Sequence, residues 1–211
     1  MIFDFDGTVA DTLRLVISGF QEAVESVGGP RYTDAEVHAF FGPAEAGMLR
    51  RAVGDRWLEA YRTYLRAYER DHGPYDRLFD GIPEIIARLK AHGIRVGLVT
   101  GKGRDSAEIS VRRTGLDRML DAFETGSDDG LAKAAGIRRV LDAWVIAPDA
   151  VAYVGDTPDD MRSAIEAGVV ALGAGWAGTA SVVPGTGWTL LPSVEALGAW
   201  IDDAIRLDPT A

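Results

Sequence analysis

"MIFDFDGTVADT", residues Met1 to Thr12, poses the question on which the fold turns. Met1, Ile2, Phe3 and Phe5 read as a short buried strand, and Gly7-Thr8 breaks it. Two carboxylates, Asp4 and Asp6, stand where strand gives way to loop. An unpaired charge in a buried strand is very costly. The pair is either solvated at a strand end or set there for chemistry.

Downstream, the pattern first turns helical. Leu13, Val16, Ile17, Phe20, Val24 and Val27 recur at helical spacing until Gly28-Gly29-Pro30. Thr33 to Glu36 has the form of a capping box, and a third helix is expected up to about Val53. Trp57 to Asp71 is a further expected helix, with Leu58, Tyr61, Leu65 and Tyr68 on one stripe. The grammar then changes. Expected helices at Pro83 to His92, Asp105 to Thr114, Gly130 to Ala143, Pro158 to Ala167 and Val194 to Ile205 alternate with apolar runs. Those runs are IRVGLVTG (residues 94–101), DAFETG (121–126), VAYVGD (151–156) and VVALGAG (169–175). Strands alternating with helices at this spacing imply parallel βαβ units, and all-apolar runs suit strands covered on both faces. The expected architecture is α/β: a Rossmann-like open parallel sheet formed by residues 1–13 and 78–211, with a helical cap inserted at 14–77.

Open parallel sheets bind ligands beyond the carboxyl ends of their strands. Those ends carry Asp4 and Asp6, then Thr100, Gly101 and Lys102, then Asp156 with Asp159 and Asp160 close behind, while Lys133 lies early in a helix. The set suits phosphoryl transfer. Asp can serve as a nucleophile toward phosphorus, Mg2+ takes a few hard carboxylate oxygens, and a hydroxyl and an ammonium can hold the non-bridging oxygens. A second carboxylate can pass a proton to the leaving alcohol and later take one from water.

Asp4-Phe5-Asp6-Gly7-Thr8 resembles the first signature, DxDGT, of the haloacid dehalogenase-like (HAD) superfamily. Thr100 is similar to its second signature, Lys133 to its third, and Gly155-Asp156 with Asp160 to its fourth. The insertion after the first strand resembles the cap of the phosphoglycolate phosphatase-like branch. The resemblance implies Asp4 as nucleophile, Asp6 as general acid/base, and Thr100, Gly101 and Lys133 around the phosphate. It also implies Mg2+ held by Asp4, Asp156 and the backbone carbonyl of Asp6, with Asp160 in support. One departure stands out: many relatives carry Lys-Pro at the third signature, whereas Ala134 follows Lys133 here. Lys133 is nonetheless the only lysine after Lys102.

The implied activity is a Mg2+-dependent phosphatase acting on a small phosphorylated metabolite through an aspartyl-phosphate. A phosphomutase of the beta-phosphoglucomutase type, or a non-catalytic phospho-ligand-binding protein on the same fold, is the alternative. Substrate choice is expected from the turn Phe41-Gly42-Pro43-Ala44-Glu45, where Glu45 either bonds the leaving group or only favours the next helix. Lys102 is a further candidate for substrate contact, although a solvated loop is the plainer reading for it and for Arg104. His38, His72 and His92 join no constellation and read as surface or packing residues.

Bulk composition agrees. The 211 residues are 47% apolar, enough for a real core. With 32 acidic against 22 basic side chains the formal charge is −10, which disfavours a general nucleic-acid binder but not a small anionic substrate. No cysteine is present, so disulfide and thiolate chemistry are excluded. No leader or membrane span is visible, so a cytoplasmic monomer or homodimer is the expectation.

Overall fold

The computed structural model of the protein describes residues 1–130 and 133–207. Six strands form one all-parallel sheet in the order β3-β2-β1-β4-β5-β6. They are β1 (Ile2–Phe3), β2 (Gly97–Val99), β3 (Ala122–Glu124), β4 (Ala152–Gly155), β5 (Val170–Ala174) and β6 (Thr189–Leu191). The inner strands β1, β2 and β4 are buried throughout, which is why they read as continuous apolar runs, while the edge strands β3 and β6 are partly exposed. Phe3, Leu98, Val154 and Leu172 point to one side, where α5 (Ile82–Ala91) and α9 (Val194–Leu207) cover them. Ile2, Val99, Tyr153 and Ala171 point to the other, beneath α7 (Lys133–Trp144) and α8 (Pro158–Ala167).

Between β1 and α5 the chain builds α1 (Leu13–Ser26), α2 (Asp34–His38), α3 (Glu45–Val53) and α4 (Trp57–Asp71). These helices share their own apolar cluster around Phe20, Val24, Leu49, Tyr64 and Tyr68. The expected capping box is present, with Thr33 and Glu36 each satisfying the other's backbone N–H at the start of α2. On α4 the expected stripe needs correction. Leu58 is 44% exposed, and Tyr64, which was not read as part of that stripe, is fully buried. Among the described residues, no helix is long and apolar enough to cross a membrane.

Other boundaries shift by a residue or a few. β1 stops at Phe3 rather than continuing through Phe5. The Asp4 N–H still pairs with the Val154 carbonyl, but the Phe5 carbonyl is taken by the N–H groups of Thr8, Val9 and Ala10. The chain therefore turns immediately after the first carboxylate. α6 (Arg104–Thr114) begins one residue earlier than expected. The helix start expected at Gly130 is not found there: Gly130 bridges to Ser127 with φ 144°, residues 131–132 lie outside the described ones, and α7 is described from Lys133. β6 is an addition to the expected sheet: it lies between Gly185-Thr186-Gly187 and Pro192, residues that read as loop, and pairs in register with β5 through Leu172–Thr189.

α7 ends in a Schellman motif. The Ile146 N–H reaches the Leu141 carbonyl and the Val145 N–H reaches that of Asp142. The motif needs a left-handed residue, which Gly93 and Gly168 supply after other helices, but here it is Val145, with φ 53°. A β-branched residue in that region is strained, and this one is 91% exposed, so nothing repays the strain. Val145→Gly is expected to raise stability by about 1 kcal/mol, read as a higher midpoint in thermal or urea unfolding.

Candidate active site

The carboxyl edge of the sheet gathers the expected groups. Asp4 follows β1, Thr100 and Gly101 follow β2, Asp156 follows β4, and Lys133 opens α7. All of them, with Asp6, Glu45 and Lys102, line one cavity of about 490 Å3. One side of the cavity is apolar, from α1, α3 and the segment between α2 and α3: Leu13, Val16, Phe41, Pro43 and Met48; His38, Thr157, Asp159, Arg162, Thr179 and Ser181 complete a polar rim.

Asp4 is buried, and its two oxygens differ. Oδ2 accepts a hydrogen bond from Lys133 Nζ at 2.8 Å, whereas Oδ1 is buried with no hydrogen-bond partner among the described residues. Burial pushes the Asp4 carboxyl up to about 6; Lys133 opposes the rise, while Asp160 and Asp6 add to it. Asp156 is pushed further, to about 8, first by burial and then by repulsion from Asp4 and Asp160. Asp156 reaches this crowded position because Gly7 lies beneath it. A Cβ at Gly7 would come within 2.2 Å of Asp156 Oδ2, and φ there is 74°. Gly7 thus both turns the chain and clears space for the third carboxylate, a long-range role that no local reading of DxDGT reveals.

Lys133 is the counter-charge. Burial works against its ammonium, but Asp160 and Asp4 outweigh burial and hold it protonated above its ordinary range. Asp160 is buried and fully engaged: Oδ1 receives Lys133 and the Tyr153 hydroxyl, and Oδ2 receives the N–H and hydroxyl of Thr157 in the capping box of α8. Its place is therefore support: it aims Lys133 and caps the helix that follows Asp156.

A divalent cation fits this chemistry. Oxygen atoms of Asp4, Asp156 and Asp160 lie within 4.8 Å of one another. Asp160 has already spent both oxygens, whereas Asp4 Oδ1 is an orphan and Asp156 Oδ1 has only a 3.4 Å contact from the Thr8 hydroxyl. Two crowded, partly unsatisfied hard oxygens with raised proton affinity suit a small cation. The Asp6 side chain stands outside that cluster; it accepts from the Thr12 hydroxyl and, at 3.3 Å, from Lys102 Nζ.

The first 174 residues match the family model of the haloacid dehalogenase-like hydrolases. The chain belongs to that family. Proteins similar to it include one named PpaX, a pyrophosphatase by name, from Caldanaerobacter subterraneus subsp. tengcongensis, 31% identical over 87% of this chain and 83% of that one. The tyrosine-protein kinase PtkA of Mycobacterium tuberculosis is 27% identical over 90% of this chain and 67% of its own. Among solved structures, CbbY from Rhodobacter sphaeroides in complex with phosphate shares the fold, with a TM-score of 0.80, 22% identity and coverage of 93% of this chain and 95% of that one. The family match makes the chain a hydrolase.

Two expectations about its site change. Lys102 is not in a solvated loop: its side chain is 2% exposed and sits between Asp6 and Glu45. Arg104 is exposed as expected and pairs with Glu108. Glu45 does open α3 and does line the cavity, but its carboxylate is occupied by protein groups rather than turned to the open space. His72 is a packing residue, buried between Ser110 and Asp76.

Proposed function

We propose that this hydrolase is a Mg2+-dependent phosphatase that cleaves small phosphomonoesters through an aspartyl-phosphate on Asp4. The observation that carries the reading is the split of the Asp4 carboxylate, with one oxygen fixed by Lys133 and the other buried, unpartnered and at the cavity. In this reading one oxygen of Asp4 attacks phosphorus while its other oxygen is left for the cation, and the alcohol departs on the far side. Thr100 and the Gly101 backbone cradle the non-bridging oxygens, and Lys133 neutralises charge that builds there. Asp6 gives the departing alcohol its proton, then takes one from the water that hydrolyses the phosphoenzyme. Asp4 and Asp156, with the Asp6 carbonyl, would hold Mg2+, which when bound offsets the repulsion between a phosphate dianion and the carboxylates.

Residues 14–77 would act as a cap over the core, hinged near Thr12-Leu13 and Leu78–Asp80. The apolar cluster of α1–α4, which takes in a single buried core residue, Ile109 of α6, supports this division, as does the tie between the Phe79 N–H and the Val9 carbonyl that holds the two crossings together. The apolar wall of the cavity would face the carbon part of the substrate. Asp6→Asn is expected to cost roughly 10²–10⁴-fold in kcat, with the larger loss on esters whose alcohol leaves poorly, measured as released phosphate.

The reading as a whole is tested by phosphate release from aryl phosphates, sugar phosphates, phosphoglycolate and pyrophosphate, with Mg2+ and with chelator. Mg2+-dependent release from at least one class is expected. Full activity in chelator would remove the metal from the reading. Binding of phosphate esters without turnover of any would make the protein a phospho-ligand binder instead.

A further inference from the structure

Glu45 belongs to the inserted helices, yet its carboxylate is spent on the opposite side of the cavity. Oε2 accepts the Gly103 N–H at 2.6 Å, and Oε1 accepts the Ser106 hydroxyl at 2.6 Å and the Tyr64 hydroxyl at 3.1 Å. Gly103 is the N-cap of α6 and Ser106 lies in its first turn, so Glu45 caps a helix of the core from another element. The approach is close enough that a Cβ at Gly103 would lie 2.8 Å from Oε2. Lys102 sits between the two parts: its Nζ is 3.8 Å from Glu45 Oε1, 3.3 Å from Asp6 Oδ1 and 4.7 Å from the centre of the Tyr68 ring. Lys102 and Glu45 are almost wholly buried, while Asp6 keeps 21% of its side chain exposed. Apolar residues of similar volume would seat the helices as well or better, because a buried ion pair spends most of its attraction on desolvation. The arrangement therefore calls for a role besides adhesion, and it ends on Asp6.

We infer that Glu45 is a positioning residue for Asp6, acting through Lys102, so that seating the inserted helices on the loop after β2 aligns the acid/base. This rests on the phosphatase reading. With Glu45 bound to Gly103 and Ser106, the 100–103 loop is fixed and Lys102 is shared between two carboxylates. Without it, Lys102 has only Asp6 to pair with, and the Asp6 carboxylate is drawn from the line it shares with the departing oxygen. The loss falls on the proton-transfer step, so it grows as the leaving group becomes less acidic. A Glu45 that read the substrate would instead respond to the shape of the leaving group. A Glu45 that only capped α6 would cost stability or lower all rates together.

The test uses para-substituted phenyl phosphates, alike in size and shape but graded in leaving-group acidity from 4-nitrophenyl to 4-methylphenyl. For Glu45→Gln and Lys102→Met we expect kcat to fall about 10-fold on the nitro ester and about 100-fold on the methyl ester, with KM changing little. The double variant should be no worse than the poorer single one, because both changes break one chain of contacts. Tyr64→Phe, which removes a single donor to Glu45, should shift the series in the same direction by less, and it decides the matter if Glu45→Gln does not fold. Equal losses along the series, or additive losses in the double variant, would overturn the inference. Failure of the unmutated protein to hydrolyse any of these esters would instead count against the phosphatase reading beneath it.

Discussion

Asp4→Asn should abolish turnover while leaving the protein at least as stable as before. The change keeps the side chain's shape and its contact with Lys133, but it removes the nucleophilic oxygen. The expected fall in kcat is on the order of 10⁴-fold or more. Stability moves the other way for a definable reason. The Asp4 carboxyl is held at about 6 in the folded protein, chiefly by burial, which is above its value in an unfolded chain. A group shifted upward costs the folded state stability once the pH exceeds its unfolded value, and the cost is fully developed above about 6. Asparagine carries no charge to desolvate, so at pH 7.5 the variant should unfold at the same temperature as the parent or higher. A residue kept for structure would show the reverse: lower stability with activity reduced in proportion. Near-normal kcat in Asp4→Asn would remove Asp4 as nucleophile.

Asp156→Asn should remove both the response to metal and the activity that depends on it, with kcat down about 10³-fold. Asp156 is pushed up to about 8 by burial, by Asp4 and by Asp160. Between the unfolded carboxylate value and about 8 the folded state therefore holds more protons than the unfolded one, so the metal-free protein loses stability as pH rises through that window. Mg2+ binds the ionised carboxylates and only in the folded state, so it restores what ionisation costs. The Mg2+-induced rise in Tm should thus be small at pH 5.5 and larger at pH 8, and absent at both in Asp156→Asn. A Mg2+-induced rise independent of pH, or one preserved in Asp156→Asn, would place the metal elsewhere. The readout is unfolding, so it does not depend on knowing the substrate.

The legible parts of the molecule were those written in local pattern. Apolar runs ending in Asp, Thr or Gly-Asp marked the strands and their carboxyl ends, and sheet topology then brought Asp4, Thr100, Asp156 and Lys133 to one edge whatever their spacing. What remained hidden depends on contacts between distant segments. Lys102 looked like a loop lysine because it stands between Gly101 and Gly103 just after a strand; Tyr68 and Glu45 bury it from another part of the chain. Glu45 stayed open between substrate contact and favouring its own helix, because its actual partners Gly103, Ser106 and Tyr64 carry no motif. Gly7 looked like a strand breaker, and its closeness to Asp156 is visible only in three dimensions. β6 was hidden because its three residues lie between Gly185-Thr186-Gly187 and Pro192, which read as loop. Family membership and fold likewise stop short of the substrate, since a pyrophosphatase and a tyrosine-protein kinase by name lie at similar distance from this sequence.

The covalent step is open to direct observation. The protein is mixed with Mg2+ and an excess of 4-nitrophenyl phosphate, quenched in acid during turnover, digested and read by mass spectrometry, with borohydride reduction of a parallel sample. One phosphoryl group on the N-terminal peptide at Asp4, converted by reduction to homoserine at that position and missing in Asp4→Asn, is the predicted result. Turnover that continues with no phosphoryl group on Asp4, or with the group on another residue, would contradict the account.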